Sequence, residues 1–228
     1  QALLHDTPYR ALYLADVGFD IGPYAVAAQR FEHRYFCFLN SFSAPLADGW
    51  LASLYRQLLT PGVGLAGASG SWESAYTNVL AATVLQQMQG PRALHLPRLL
   101  AYRALFDPFP NPHIRSNGFM VERATMRAIR TGRIVSKRAA HRFEAGRHSL
   151  TKQIAALGLR ALIVGRNGEG YEHDAWPHSG TFRQSEQENL LIADNRSEVY
   201  QRANEQQRER LARLSWGVAV LAAKGASL

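Results

Sequence analysis

A single cysteine, Cys37, occurs in 228 residues, so no disulfide framework can form and a reducing compartment is the simpler assumption. Cys37 lies inside an apolar run, where a free thiol behaves as a small core residue. Long apolar runs are missing too: none approaches the ~20 residues that span a bilayer, and nothing resembles a signal peptide. The expectation is a cytoplasmic protein, soluble or peripheral to an anionic membrane. Acids are the scarcer charge, 18 against 26 Lys and Arg, for a net charge of +8 and a pI near 10.0. That balance suits phosphate-bearing ligands, lipid surfaces or nucleic acid and does not choose among them. No internal repeat is visible. The chain opens on Gln1 rather than Met, which suggests a piece cut from a longer parent.

What is present is apolar content of 46%, enough for one sizeable core and one α/β domain over residues 1–228. Its core is expected at about 11–165, with a loop and a helical extension over 166–228. After a polar lead-in, Ala11 to Ala15 reads as a short strand. It runs through a turn with Asp16, Gly18, Asp20, Gly22 and Pro23 into a helix from Ala25 to Phe31. Asp20 there is either an ordinary helix cap or a ligand contact, since glycines allow close backbone approach and a helix start favours anions.

Arg34 to Leu39 is apolar and β-rich, and it stops at Asn40, Ser41, Phe42 and Ser43, as a buried strand does when it delivers a site to a sheet edge. In open α/β sheets ligands sit beyond the carboxyl ends of strands. A helical run follows, ending before Pro61, and then a strand over Gly64 to Gly67. A helix from about Ala75 to Met88 carries Val79, Leu80, Val84 and Leu85 at helical spacing and reads as core. Trp72 and Glu73, just before it, follow the strand Gly64 to Gly67 at the edge where a site would lie, although a structural Trp is the simpler reading.

Pro108, Pro110 and Pro112 preclude helix and hold an extended loop, which carries Arg115 and Asn117 into a strand at Gly118 to Val121 and a helix to Ile129. Arg115 can fork onto phosphate or carboxylate oxygens; equally, it and Asn117 can staple the loop. From Arg115 to Arg147 there are nine Lys or Arg against two acids. Such a run is either a solvated helix face or a phosphate- or membrane-facing patch. It lacks the aromatic interleaving of a single-strand nucleic-acid binder. Glu144 reads as a loop acid before a helix from Ser149 to Leu157 and a strand ending at Val164. The loop over Gly165 to Thr181 holds His173, Asp174 and His178 at no metal-site spacing, and Trp176. A capping box at Ser185 to Glu188 opens a helix through about Ala193, and a second helix covers Ser197 to Leu214.

Several of these segments resemble inverting glycosyltransferases of the GT-A fold, the family-2-like enzymes of the rhamnan-synthesis type. Gly18-Phe-Asp-Ile-Gly-Pro-Tyr24, Leu39-Asn-Ser-Phe-Ser43, Asp48-Gly-Trp-Leu51, Pro61-Gly-Val-Gly64 and the segment from Pro110 to Phe119 carry the likeness. It covers about Tyr13 to Val164. The resemblance implies a GT-A-like, Rossmann-like α/β fold with a mostly parallel central sheet flanked by helices, and C-terminal helices beyond it. It also implies sugar transfer from a nucleotide-sugar donor to a hydroxyl acceptor in bacterial surface-glycan synthesis, with no nucleic-acid partner.

On that reading Asp20, Gly22, Tyr24, Asn40, Ser41, Ser43, Arg115 and Asn117 would line the donor pocket. Trp176 and Arg147 would face the acceptor, and Glu144 would be the catalytic base, standing where the family has Glu-Asp but with Ala145 in place of the Asp. Two departures matter. The family's metal-holding Asp is replaced by Phe42 or Ser43, so a divalent metal loses its usual ligand and basic side chains such as Arg115 or Arg147 would have to neutralise the leaving diphosphate. The first two strands of the family are also missing. The rival expectation is a degenerate, non-catalytic domain that binds a glycan or a partner protein.

Overall fold

The computed structural model of the protein describes residues 8–15, 18–85 and 89–217. In chain order the elements are α1 (Ile21–Arg30), β1 (Tyr35–Leu39), β2 (Ala44–Pro45), α2 (Trp50–Leu58), β3 (Val63–Gly67), β4 (Gly70–Ser71), α3 (Ala75–Val84) and α4 (His95–Leu105). Then follow β5 (His113–Ile114), β6 (Gly118–Glu122), α5 (Arg123–Ala128), α6 (Lys137–Ala145), α7 (Leu150–Ala156), β7 (Arg160–Val164), β8 (Gly170–Tyr171), β9 (Ile192–Ala193), α8 (Asn195–Arg202) and α9 (Glu205–Trp216).

The central sheet has the order β1-β6-β3-β7-β8. Only the β3–β7 pairing is parallel; β1–β6, β6–β3 and β7–β8 are antiparallel. The sheet is therefore mixed, which corrects the expectation of a mostly parallel one. The reason lies in the connection: a parallel neighbour needs the chain to cross back to the starting edge, whereas the proline-bearing segment after Phe106 re-enters from the edge at which β3 ended. β6 must then run backwards. This reversal matters for function, because the register Leu39↔Gly118 and Gly67↔Phe119 sets the start of β6 beside the ends of β1 and β3. Asn40 consequently emerges next to Asn117.

Strand alternation divides the core between the two faces of the sheet. Phe36 and Phe38 of β1, Leu65 of β3, Phe119 and Val121 of β6 and Ile163 of β7 share one cluster with Ile21 and Tyr24 of α1 and Ile154 of α7. Met120, Ala66, Leu162 and Val164 face Leu54 and Leu58 of α2 instead, with Cys37 packed against that cluster. Burial there pushes the Cys37 thiol up to about 12, so it is a protonated filler of the core.

Elsewhere the local expectations are met or corrected by specific residues. No strand forms at 11–15, where Tyr13 is 84% exposed. α1 starts at Ile21 rather than Ala25, because Pro23 falls in its first turn, where the missing N–H is not needed. Gly18, at φ +97°, closes that turn: its carbonyl accepts from Gly22 N–H at 2.8 Å, and a Cβ would sit 3.0 Å from Gly22 Cα. Asp16, Met88 and the tail beyond residue 217 lie outside the described residues.

Residues 185–193 form no helix. Arg183, Ser185 and Gln187 have positive φ, and the consecutive buried residues Leu190, Leu191 and Ile192 lead into β9. Working capping boxes occur instead at Asp194/Ser197 and Asn204/Gln207, and the single long helix expected over 197–214 divides there into α8 and α9. Among the described residues no helix is long and apolar enough to cross a membrane.

Candidate functional site

The segment from Asn111 to Asn117 forms a strap across the sheet edge, and it is fixed at several points. Asn111 Nδ2 donates to the Ala145 carbonyl at the end of α6 (2.7 Å), Lys152 Nζ donates to Asn111 Oδ1 (2.6 Å), and Ile114 N–H donates to Thr151 Oγ1 (2.8 Å). Side chains from α1, β5 and α6 gather around this strap.

Glu144 is one of them. It sits on the last turn of α6 rather than in a loop, as the sequence suggested, and Ser116 N–H donates to its Oε1 at 2.9 Å. Burial works against the charge on Glu144, but the neighbouring positive charges of His113 and Arg115 and the Ser116 amide outweigh it and hold the carboxyl below its ordinary range. Its other oxygen accepts no hydrogen bond among the described residues, and the side chain keeps partial access to solvent.

Asp20, just before α1, makes no capping bond. Its carboxyl is held above the usual range by burial and by the charge of Glu144. Tyr24, on the first turn of the helix, reaches the Ser116 carbonyl at 3.5 Å and stacks on Phe38 with ring centroids 4.5 Å apart. Burial, then Asp20, Cys37 and Glu144, push its hydroxyl up, so it remains a proton donor. His113 in β5 is buried and is held below the usual imidazole range mainly by that burial. The Asn111 carbonyl lies 2.8 Å from Nδ1, so the ring carries a proton there, and the charge of Glu144 works against the effect of burial. Sequence reasoning passed over His113 and Ser116, although both lie in the proline-bearing segment it had singled out.

The remaining candidates divide. Asn40 and Ser43 lie beside Asn117, but the Asn40 side-chain oxygen and the Ser43 hydroxyl are engaged: Asn40 Oδ1 accepts from Phe42 N–H (3.0 Å) and from Ser43 Oγ (2.9 Å), which also contacts the Asn117 carbonyl. Ser41 is exposed, and Gly22 is absorbed into α1. Arg115 and Asn117 are taken up by other partners. Arg115 Nη2 lies 2.5 Å from Asp194 Oδ2, in a buried pair stacked 4.0 Å over the Phe182 ring, and Ser69 Oγ donates to Asn117 Oδ1 at 2.8 Å. Asp194 was not read as a partner; the signal was its position as cap of α8.

Trp176 is fully buried, with its indole N–H donated to the Tyr171 carbonyl at 2.9 Å, so it offers no ring face to a sugar. Arg147 lies across α6 from Glu144, its Nε bonded to the Arg103 carbonyl (3.2 Å) and 3.4 Å from Asp107. At the strand end where the resemblance would put a metal ligand, Phe42 has no donor atom and the Ser43 hydroxyl is already engaged. No group of three or more His, Cys, Asp or Glu among the described residues could hold a metal ion.

Chemically, the cluster offers one ionised carboxylate with a free oxygen, a second carboxyl biased toward its protonated form, a phenol that donates and a buried imidazole electrostatically linked to the carboxylate. Two carboxyls whose environments push their proton affinities apart are the pattern of acid–base chemistry. No family model, curated protein or solved structure matches the chain.

Proposed function

We propose that the chain is a glycosyltransferase with a GT-A-like arrangement, in which Glu144 takes the proton from an acceptor hydroxyl as that oxygen attacks the anomeric carbon of a nucleotide-sugar. The nucleoside diphosphate leaves from the opposite face, so configuration inverts. The observation that carries the reading is the meeting of Asp20, Tyr24 and Glu144 at one strap, from segments more than a hundred residues apart in the sequence. The likeness of those segments to the GT-A enzymes supports it.

Each group has a role that its surroundings suit. Glu144 is ionised and keeps one oxygen free, as a base must. Asp20 and the Tyr24 hydroxyl are available to hydrogen-bond sugar hydroxyls. Arg115, committed to Asp194, is assigned to support of the strap rather than to the leaving diphosphate. No step is routed through a metal. Calorimetric titration with UDP-, GDP- and dTDP-sugars, with and without manganese, tests the reading: binding of one of them that Asp20→Asn weakens supports it, and no heat with any of them, or binding indifferent to Asp20, refutes it. A second reading is favoured by the self-satisfied hydrogen bonds of Asn40 and Ser43 and by the engagement of Arg115: a non-catalytic domain of the same fold that binds a glycan or partner protein. Donor-independent glycan binding without turnover would select it.

A further inference from the structure

A cavity of about 560 Å³ opens on the far side of α6, lined by Arg130, Thr131, Gly132, Arg133 and Ile134, by Ala139, Arg142, Phe143 and Gly146 of α6 and the turn after it, and by Arg147, His148, Gln153 and the end of α4. Among the described residues no carboxylate lines it. At 100° per residue, Arg142, Phe143 and Gly146 occupy one face of α6 while Glu144 lies on the other, and none of Asp20, Tyr24, His113 or Ser116 reaches the cavity.

The charge is unusually uncompensated. Among the described residues the guanidiniums of Arg130, Arg133 and Arg142 have no carboxylate or hydrogen-bonding partner, whereas Arg147 is partly neutralised by Asp107. The frame is built rather than loose. Gln153 Oε1 accepts from Arg130 N–H (2.8 Å), and its Nε2 donates to the carbonyls of His148 (2.9 Å) and Arg130 (3.2 Å), tying both rims together. Buried Ile134 and Phe143 form the floor, and Gly132, at φ +65°, turns the loop so that Arg130 and Arg133 flank it. Gathering unpaired like charges on a fixed concave frame costs stability, and an anion carrying two or three negative charges offsets that cost.

We infer that this cavity is a second binding site, separate from the Glu144 cluster, for a diphosphate group. Three free guanidiniums match the charge of a diphosphate, and planar guanidinium forks match its oxygens. A volume in the range of small-molecule sites suits one such group with an attached moiety over the apolar floor, rather than a long polyanion. The inference does not depend on sugar transfer.

The test is calorimetry of the whole protein with inorganic pyrophosphate at low salt, with Arg142→Glu and Arg130→Glu/Arg133→Glu variants. Arg142 is exposed and, among the described residues, without a partner, so Arg142→Glu relieves like-charge repulsion and should hold or slightly raise the thermal midpoint, which makes loss of binding interpretable. The expected result is saturable binding, weakened at least tenfold in each variant and unaltered by Glu144→Gln. Competition by UDP, or co-sedimentation with phosphatidylcholine vesicles containing a polyprenyl diphosphate that Arg142→Glu abolishes, identifies a nucleotide or a lipid headgroup as the source of the diphosphate; either supports the site. Absence of pyrophosphate binding, binding indifferent to the Arg142 charge, or duplex DNA bound more tightly than pyrophosphate through the same arginines overturns it.

Discussion

Removing the Arg115 guanidinium is the perturbation whose size follows most directly from the structure. Arg115 and Asp194 form a buried pair, with side chains 8% and 3% exposed. Asp194 Oδ1 also accepts from Ser197 N–H at 2.9 Å as the cap of α8, and Arg115 Nη1 lies 3.3 Å from Ser69 Oγ. Arg115→Ala leaves Asp194 charged and desolvated without its counter-charge, only the Ser197 cap remaining, which costs about 3–5 kcal/mol. For a domain of this size each kcal/mol moves the midpoint by ~2–4 °C, so the fall in Tm should exceed about 6 °C. Burial pushes the Asp194 carboxyl up, but the pair with Arg115 and the Ser197 bonds outweigh it and hold the group below its ordinary value. A carboxyl depressed on folding adds stability above its unfolded pKa, near 3.9, and loses it as pH falls through the folded value. Acid should therefore destabilise the wild type more steeply than Asp194→Asn. Urea denaturation at pH 7 measures the first effect, and the same series carried down to about pH 2.5, below the unfolded value, measures the second. A cost below about 1 kcal/mol, with donor affinity lost instead, would refute the reasoning and return Arg115 to the ligand.

Asp20→Asn should raise stability by a few tenths of a kcal/mol, small because solvent screens a partly exposed group, since it removes a carboxylate raised by burial and by Glu144. The gain should appear at neutral pH and vanish as pH falls and the wild-type carboxyl protonates; thermal melts at pH 7 and pH 4 check it, and donor affinity should drop in the same variant. Trp176→Ala should cost about 3–5 kcal/mol as a core truncation, read by denaturant unfolding, where a surface-stacking Trp would cost almost nothing. Gly146→Ala places a Cβ 2.4 Å from the Arg142 carbonyl. The end of α6 must then shift, lowering the unfolding midpoint and, through Glu144 and Arg147 on either side, both turnover and pyrophosphate affinity.

Much of the fold was legible because local pattern and tertiary demand agree there. The run Tyr35 to Leu39 with its polar terminus, the strand after Pro61 and the apolar stretch from Gly118 each form the strand that the periodicity implied. The direction of β6 was not legible, since a strand's composition does not record the edge from which the chain arrives. Neither was the break at Ala203 and Asn204, because alternating charges run on either side of it and only the Asn204 capping box marks it.

Of the candidate cluster, Asp20, Tyr24 and Glu144 were singled out in the sequence, and Tyr24 and Glu144 meet through the backbone of Ser116. Arg115 and Trp176 were misassigned for a common reason. An Arg or Trp in a polar loop looks alike whether it faces a ligand or a buried partner, and Asp194 and Tyr171, the partners that decide the matter, lie elsewhere in the chain.

The most direct test of the proposed function compares wild type with Glu144→Gln for sugar-nucleotide binding and for transfer to a hydroxyl acceptor. Gln keeps an oxygen for the Ser116 amide but cannot take a proton. Donor affinity should stay within about twofold while turnover falls by ~10²–10⁴. Turnover equal to wild type, with the donor still bound, would remove Glu144 from the chemistry and contradict the account.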